Sequence, residues 1–238
     1  MYVARVLALR VLTWNLMHGR AQPPAGRSLL PDFRAALAGW EWDVALLQEV
    51  PPWWAAHLAA TLGTEYRHVL TSRNGLLAVR RSVAVRRPDL IKSNGGGANA
   101  ILARHDRIVA ARSQRLCWLP ERRWVHAVRL ACGIWVANLH ATAGDVPAAR
   151  RDGELAAARA LEWADGEPLV LGGDFNLGEP ACPGLAAVGG HGSDHLLVAA
   201  GLHGQGPAEV LEHGVLSDHP PLAATVQRGN GDESSPVP

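Results

Sequence analysis

The octapeptide LVLGGDFN, residues 169–176, sets the architecture of this chain. Its apolar start belongs to the run 168–172, which has the length and turn-rich flanks of a strand. The run hands over abruptly to Asp174 and Asn176. Ends of strands are where rigid elements present side chains to a shared cleft. Taken alone, the two residues could equally make an Asx-turn.

The same grammar recurs outward along the chain. VLTWN places Asn15 after an apolar run, DVALLQE places Glu49, and WVANLH places His140. Asp194 opens GSDHLLV, Asp218 and His219 sit in LSDHPP, and Asn99 stands in ANAILARH. Each has a bland alternative as a turn former or a solvated strand end.

Nine apolar runs read as strands: 6–12, 43–48, 76–79, 99–103, 124–130, 133–139, 168–172, 196–199 and 222–226. Three stretches read as helices: 28–39 with Ser28 as a cap, 52–62 after a proline pair, and 147–163 opening at Pro147. Few helices among many strands in mixed order suggest an α/β chain of two sheets packed face to face, with helices outside. Residues 1–226 are expected to form one domain. The polar, Gly/Pro-rich residues 227–238 are expected to be a disordered tail.

Composition narrows the partners. The chain has 238 residues, 48% of them hydrophobic and 19% charged, with a formal net charge of +1. That excludes wholesale disorder and a dedicated polybasic binder. The balance conceals a polarity: residues 1–129 carry a net +11 and residues 130–238 a net −10. Either two oppositely charged halves attract on folding, or a basic rim borders an acidic, metal-binding floor. Three cysteines, Cys117, Cys132 and Cys182, are too few for a disulfide framework and point to a reducing, cytoplasmic setting. No signal-peptide core and no run of ~18 apolar residues is present. A monomer is expected.

A convergent set of Glu, Asp and Asn oxygens suits Mg²⁺ or Mn²⁺, which prefer hard ligands and polarise phosphoryl oxygens. A histidine held by an aspartate can act on the same centre as acid–base or as a hydrogen-bond donor.

The ordered strings TWN, LQE, NAIL, NLH, GDFN and SDH resemble the endonuclease/exonuclease/phosphatase superfamily, from about Leu12 to Leu222. The resemblance implies a four-layer α/β/β/α sandwich of two packed mixed sheets, with the site at one end. It implies that Glu49 is the principal metal ligand, with Asn15 and Asp218 in the metal shell. Asp174 would orient or deprotonate the water, and Asn176 would position the scissile phosphate. His140 would stabilise or protonate at phosphate, and Asp194 would orient the catalytic His219. Asn99 would line the substrate site. NLHAT stands where abasic-site endonucleases carry Tyr-x-Pro-Asn, which argues against that branch. NLH is similar instead to the Asn-Thr-His-Leu of the deoxyribonuclease, sphingomyelinase and tyrosyl-DNA-phosphodiesterase branches. Only 20 positions separate Asp174 from Asp194, which leaves little room for long substrate-reading loops. The expected activity is metal-dependent, nuclease-like hydrolysis of a phosphodiester or phosphomonoester by direct attack of water. Small-molecule or lipid phosphodiesters, or a non-catalytic binding module on the same fold, are the alternatives.

Other conspicuous residues receive bland readings. Trp14, Trp118, Trp124, Trp135 and Trp163 read as packing groups. Trp53 or Trp54 could reach the cleft rim. The arginines at 80, 81, 86, 87, 104, 107, 112, 122 and 123 form either a solvated face or a phosphate-binding one. His18 has no motif and receives no role. Gly95–Gly97 reads as a flexible hairpin, because it lacks the pattern of a phosphate loop.

Overall fold

The structure is a computed structural model that describes residues 8–71, 74–87, 89–90, 97–119 and 121–229. Two mixed sheets stack on each other. The first is built from β1 (Ala8–Asn15), β2 (Val44–Val50), β3 (Glu65–Leu70), β4 (Ala98–Ala103), β11 (Leu202–Gly204), β12 (Glu209–Val210) and β13 (Leu222–Arg228). Its order is β11-β13-β1-β2-β4-β3, with β12 also paired to β13. The second holds β5 (Ile108–Cys117), β6 (Arg123–Leu130), β7 (Trp135–His140), β8 (Leu169–Asp174), β9 (Ala186–His191) and β10 (Asp194–Ala199). Its order is β5-β6-β7-β8-β10-β9.

Strand alternation divides the side chains among three apolar layers. Val11, Val44, Leu46, Ile101, Val136, Val170 and Leu196 fill the gap between the sheets. Leu12, Trp14, Leu47 and Leu102 face outward, against α1 (Leu30–Gly39) and α2 (Trp54–Leu62). Leu139, Leu169, Leu171 and Leu197 face the opposite way, against the alanine-rich side of α4 (Val146–Ala164). The result is the expected α/β/β/α sandwich. No helix of the described residues is long and apolar enough to cross a membrane.

Several local expectations are corrected. The run 76–79 is not a strand but opens α3 (Leu77–Arg86), a helix with Val79 and Val85 exposed. Four consecutive apolar residues are too few to separate the two periodicities. Ser28 does not cap α1, whose N-cap is Leu29 with no side-chain bond. Asp145 caps α4, accepting from the Ala148 N–H at 3.0 Å. Strands β3, β5, β9, β11 and β12 were not foreseen. β3, β5 and β9 lie at or beside sheet edges and lack a continuous apolar run. β13 runs to Arg228, two residues into the expected tail, whose residues 230–238 lie outside the described residues. Gly95 and Gly96 of the glycine run also lie outside them. Trp118 is not a packing group: it is 60% exposed at the end of the β5–β6 hairpin, with the Arg115 guanidinium 3.2 Å from its ring centroid.

Candidate functional site

Parallel pairing brings the chemistry to one end of the sandwich. β1 runs parallel to β2, so Asn15 lies level with Gln48, and β7 runs parallel to β8, so His140 lies level with Asp174. β10 runs back antiparallel to β8, which sets Asp194 opposite Asp174.

Glu49 reaches the cleft through a β-bulge. In β2, alternation sends Gln48 into the gap between the sheets and would send Glu49 to the opposite face. The β2–β4 register breaks between Leu47 and Val50, and Glu49 adopts φ +50°. A bulge re-aims the side chain that follows it. The Glu49 carboxylate thereby comes within 3.2 Å of His18 Nε2 and 3.8 Å of His140 Nε2.

Asp174 depends on the glycine before it. Gly173 has φ +144°, and a Cβ there would lie 1.9 Å from the Leu139 carbonyl oxygen. Only glycine lets β8 approach β7 this closely. Asp174 is then buried and held on both oxygens. Oδ2 accepts from Asn15 Nδ2 at 3.0 Å, and Oδ1 accepts from the Asn176 N–H at 2.9 Å. Asn176, at φ +52°, donates its own amide to the Ala141 carbonyl at 3.0 Å. His140 Nε2 stands 3.6 Å from Asp174 Oδ2.

The last loop is fastened to the first strand. Ser217 donates its hydroxyl to the Asn15 carbonyl at 2.6 Å and accepts from the His219 N–H at 3.2 Å. Trp14 Nε1 donates to the His219 carbonyl at 2.8 Å. These bonds hold His219 with Nδ1 2.7 Å from Asp194 Oδ2 and Nε2 3.9 Å from Asp174 Oδ2.

Charge states follow from this packing. Burial, reinforced by the charge of Asp174, pushes Glu49 up to about 7. Burial, aided by the Arg123 guanidinium, pushes His140 down to about 3, so its ring is neutral at physiological pH. Burial also works to lower His219, but the hydrogen bond and charge of Asp194, with Asp174 and Asp218, lift it to about 9. Asp174 lies below the usual carboxylate range. Burial opposes this, but His140, His219 and the Asn176 and Asn15 hydrogen bonds outweigh it. Asp194 is raised, chiefly by burial.

The structure therefore brings together Asn15, Glu49, His140, Asp174, Asn176, Asp194 and His219. Asp218 is exposed, and its charge acts on Glu49 and His219 through space. Asn99 is buried opposite the bulge, with neither side-chain polar atom hydrogen-bonded. Three participants went unassigned in the sequence. His18 faces Glu49. Gln48 and Asn138 form a buried amide pair behind it, with Gln48 Nε2 2.8 Å from Asn138 Oδ1. From the arginine series, Arg123 lines a cleft of about 200 Å³ with His18, Glu49, Thr71, Glu121 and His140. It pairs with Glu121 at 2.9 Å, and its Nε is buried without a partner. Arg104 instead lies over Trp42 and donates to the Leu37 and Trp40 carbonyls, a structural role.

The donor set fits a divalent cation. Burial first, then the charges of Asp174 and Asp218, push the Glu49 carboxyl upward against Arg123 and His219, and a divalent cation would relieve that cost of ionisation. Asp194 Oδ1 is buried with no protein partner. Asp174, Asp194 and His219 also offer ligand atoms within 4.8 Å of one another. In that group His219, lifted to about 9, is protonated on both ring nitrogens at neutral pH, which disfavours it as a ligand there.

The chain is thus an α/β/β/α sandwich with carboxylates, asparagines and an Asp–His pair gathered at one end of its paired sheets. The family model described as "Endonuclease/Exonuclease/phosphatase family" matches residues 12–219, and the chain belongs to that family. An endonuclease/exonuclease/phosphatase from Beutenbergia cavernae superposes with a TM-score of 0.69 at 18% identity, over 93% of this chain and 72% of that one. A mannosyl-6-phosphatase from Bacteroides thetaiotaomicron superposes with a TM-score of 0.69 at 16% identity, over 92% and 99%. TDP2 from Caenorhabditis elegans gives 0.68 at 15% identity, over 95% and 77%. These likenesses establish the shared fold. No curated protein sequence matches the chain.

Proposed function

We propose that this chain is a Mg²⁺- or Mn²⁺-dependent phosphoesterase that hydrolyses a phosphodiester or phosphomonoester by direct attack of water. The observation that carries the reading is the convergence of Glu49, Asp174 and His219 on one cleft, with Asn15, His140, Asn176 and Asp194 supporting them. Family membership and the presence of a phosphatase among the similar folds support the same reaction class.

Glu49 would hold the cation, with Asn15 and Asp218 in its shell. A cation bound there neutralises the phosphate and polarises its P–O bonds. Asp174 is ionised at neutral pH and aligns the attacking water, taking up its proton as the new P–O bond forms. His140, neutral, donates a hydrogen bond to a phosphoryl oxygen rather than a full proton. His219, protonated and braced by Asp194, faces the charge that develops as the ester bond breaks. Asn176 and Arg123 fix the phosphate in the cleft. Asn99 lines the substrate side, opposite the bulge.

The cleft is small, and of the segment between Asp174 and Asp194 only residues 175–185 precede β9 and its turn into β10. A single phosphoester group fits this better than an extended reading surface. The test is a panel of bis(p-nitrophenyl) phosphate, p-nitrophenyl phosphate, sugar phosphates and oligonucleotides, each assayed with Mg²⁺, with Mn²⁺ and with EDTA. Hydrolysis that requires the ion is expected. No turnover on any of them, or turnover indifferent to EDTA, overturns the reading.

A further inference from the structure

The bulge that aims Glu49 is fastened from the other sheet. Asn138 is fully buried in the middle of β7, two residues before His140, and its side chain crosses the gap between the sheets. Its Nδ2 donates to the Leu47 carbonyl at 3.0 Å and to the Ala100 carbonyl at 3.0 Å. Those two residues are the last paired positions of β2 and β4 before the register breaks. Its Oδ1 accepts from Gln48 Nε2 at 2.8 Å, and Gln48 donates further to Thr13 Oγ1 at 3.1 Å and to the Leu46 carbonyl at 3.1 Å.

One amide thus ties both strands at the mouth of the bulge and also holds the residue next to Glu49. The surrounding gap is apolar, with Leu46, Val136 and Val170 nearby in the same layer. A buried amide in such a place is retained only where its hydrogen bonds are made. Glu49 itself sits at positive φ, a conformation that a non-glycine residue keeps only when its neighbours enforce it.

We propose that Asn138 is a positioning residue: it pins the Leu47–Val50 bulge from the opposite sheet and so sets where the Glu49 carboxylate meets the divalent cation. This rests on the reading of the site as a phosphoesterase centre, with Glu49 as the ion's ligand. Asn138 touches neither substrate nor ion. The same strand carries His140, so one element registers both sides of the cleft.

The test compares wild type, Asn138→Leu and Val136→Ala. Leucine nearly conserves volume and deletes both donors. Val136 lies on the same strand and face, and its truncation weakens packing without touching the bulge. Each protein is titrated with Mn²⁺ alone by calorimetry, melted without ion, and assayed on bis(p-nitrophenyl) phosphate at saturating Mn²⁺. Asn138→Leu is expected to weaken Mn²⁺ binding at least tenfold while KM at saturating ion changes less than threefold. Val136→Ala is expected to melt lower with unchanged Mn²⁺ affinity. In metal-free protein, amide exchange at Gln48–Val50 is expected to quicken in Asn138→Leu alone.

Should Asn138→Leu not fold, Asn138→Ala, which also deletes the donors and adds no charge, is read in its place. Mn²⁺ affinity within twofold of wild type, with unchanged exchange at the bulge, overturns the proposal. A wild type that binds no Mn²⁺ and hydrolyses nothing overturns the functional reading instead. In that case faster exchange at Gln48–Val50 in the variant still shows that Asn138 holds the bulge.

Discussion

Nδ1 of His219 lies 2.7 Å from Oδ2 of Asp194, while the far nitrogen of the same ring stands 3.9 Å from Oδ2 of Asp174. The imidazole therefore spans two carboxylates and holds its proton to about pH 9. The contribution to stability has a definite sign. A histidine with a raised folded pKa stabilises fully below its ordinary value near 6.5, and that stabilisation fades as pH climbs through about 9. Asp194→Asn keeps an oxygen acceptor for Nδ1 but removes the charge that helps to lift His219, leaving Asp174 and Asp218 to oppose burial. Imidazole NMR should place the wild-type ring near 9 and the variant clearly lower. A wild-type ring titrating near 6.5 would contradict the assigned role.

Glu49 predicts a slope of the same sign in a lower pH window, from burial rather than from a partner. Its folded pKa of about 7 exceeds the ordinary carboxylate value, so ionising it costs stability. In EDTA, unfolding free energy should fall between about pH 4.5 and 7, by roughly 3 kcal/mol in all. Glu49→Gln should flatten that slope, and Mg²⁺ should restore stability above pH 7 in wild type only. Urea melts at stepped pH, with and without ion, measure each part. A wild-type slope unaltered by Glu49→Gln would assign the charge burial to another group.

Asp174→Asn and His219→Ala should each lower kcat by about a thousandfold or more, with thermal midpoints within a few degrees of wild type. In Asp174→Asn the amide oxygen can keep one of the two bonds, to Asn15 Nδ2 or to the Asn176 N–H, and its NH2 meets the other donor, so the thermal midpoint is read beside kcat to separate lost turnover from lost folding. Near-wild-type kcat in either variant removes that residue from the chemistry.

Gly173→Ala should fail on the backbone alone. Its Cβ would overlap the Leu139 carbonyl, and φ +144° is strained for alanine. A loss on the order of 3 kcal/mol or more is expected, seen as a collapsed thermal midpoint or insoluble protein. Gly178→Ala, where a Cβ meets nothing within 4 Å, is the control.

The parts of this site that were legible in the sequence sit on strands buried on both faces. LVLGGD and WVANLH read as strands because both sides meet apolar layers, and their polar ends then stood out. β3 and β5 escaped because edge strands lay only part of their surface on the core: Arg67, His68, Arg112 and Ser113 are exposed. His18 and Asn138 were invisible for a different reason. Their roles depend on how closely two sheets approach and where one strand bulges, and no local spacing encodes either. Trp118 misled because bulk and apolarity usually mean burial, whereas here the ring stays largely exposed beside the Arg115 and Arg122 guanidinium groups.

Arg123 gives the sharpest separation of binding from chemistry. It lines the cleft beside Glu49 and His140, nearly buried, with Nε unsatisfied by the protein. A guanidinium so placed has donors to offer a phosphate. Its charge also helps to lower both Glu49 and His140. Arg123→Gln should therefore raise KM for bis(p-nitrophenyl) phosphate at least tenfold and shift the acid limb of the kcat/KM profile to higher pH, because Glu49 would ionise less readily. Saturating Mn²⁺ should pull that limb back while leaving KM high, since ion binding favours the ionised carboxylate but supplies no guanidinium. A KM that recovers with added ion would make Arg123 a partner of Glu49 rather than of the substrate.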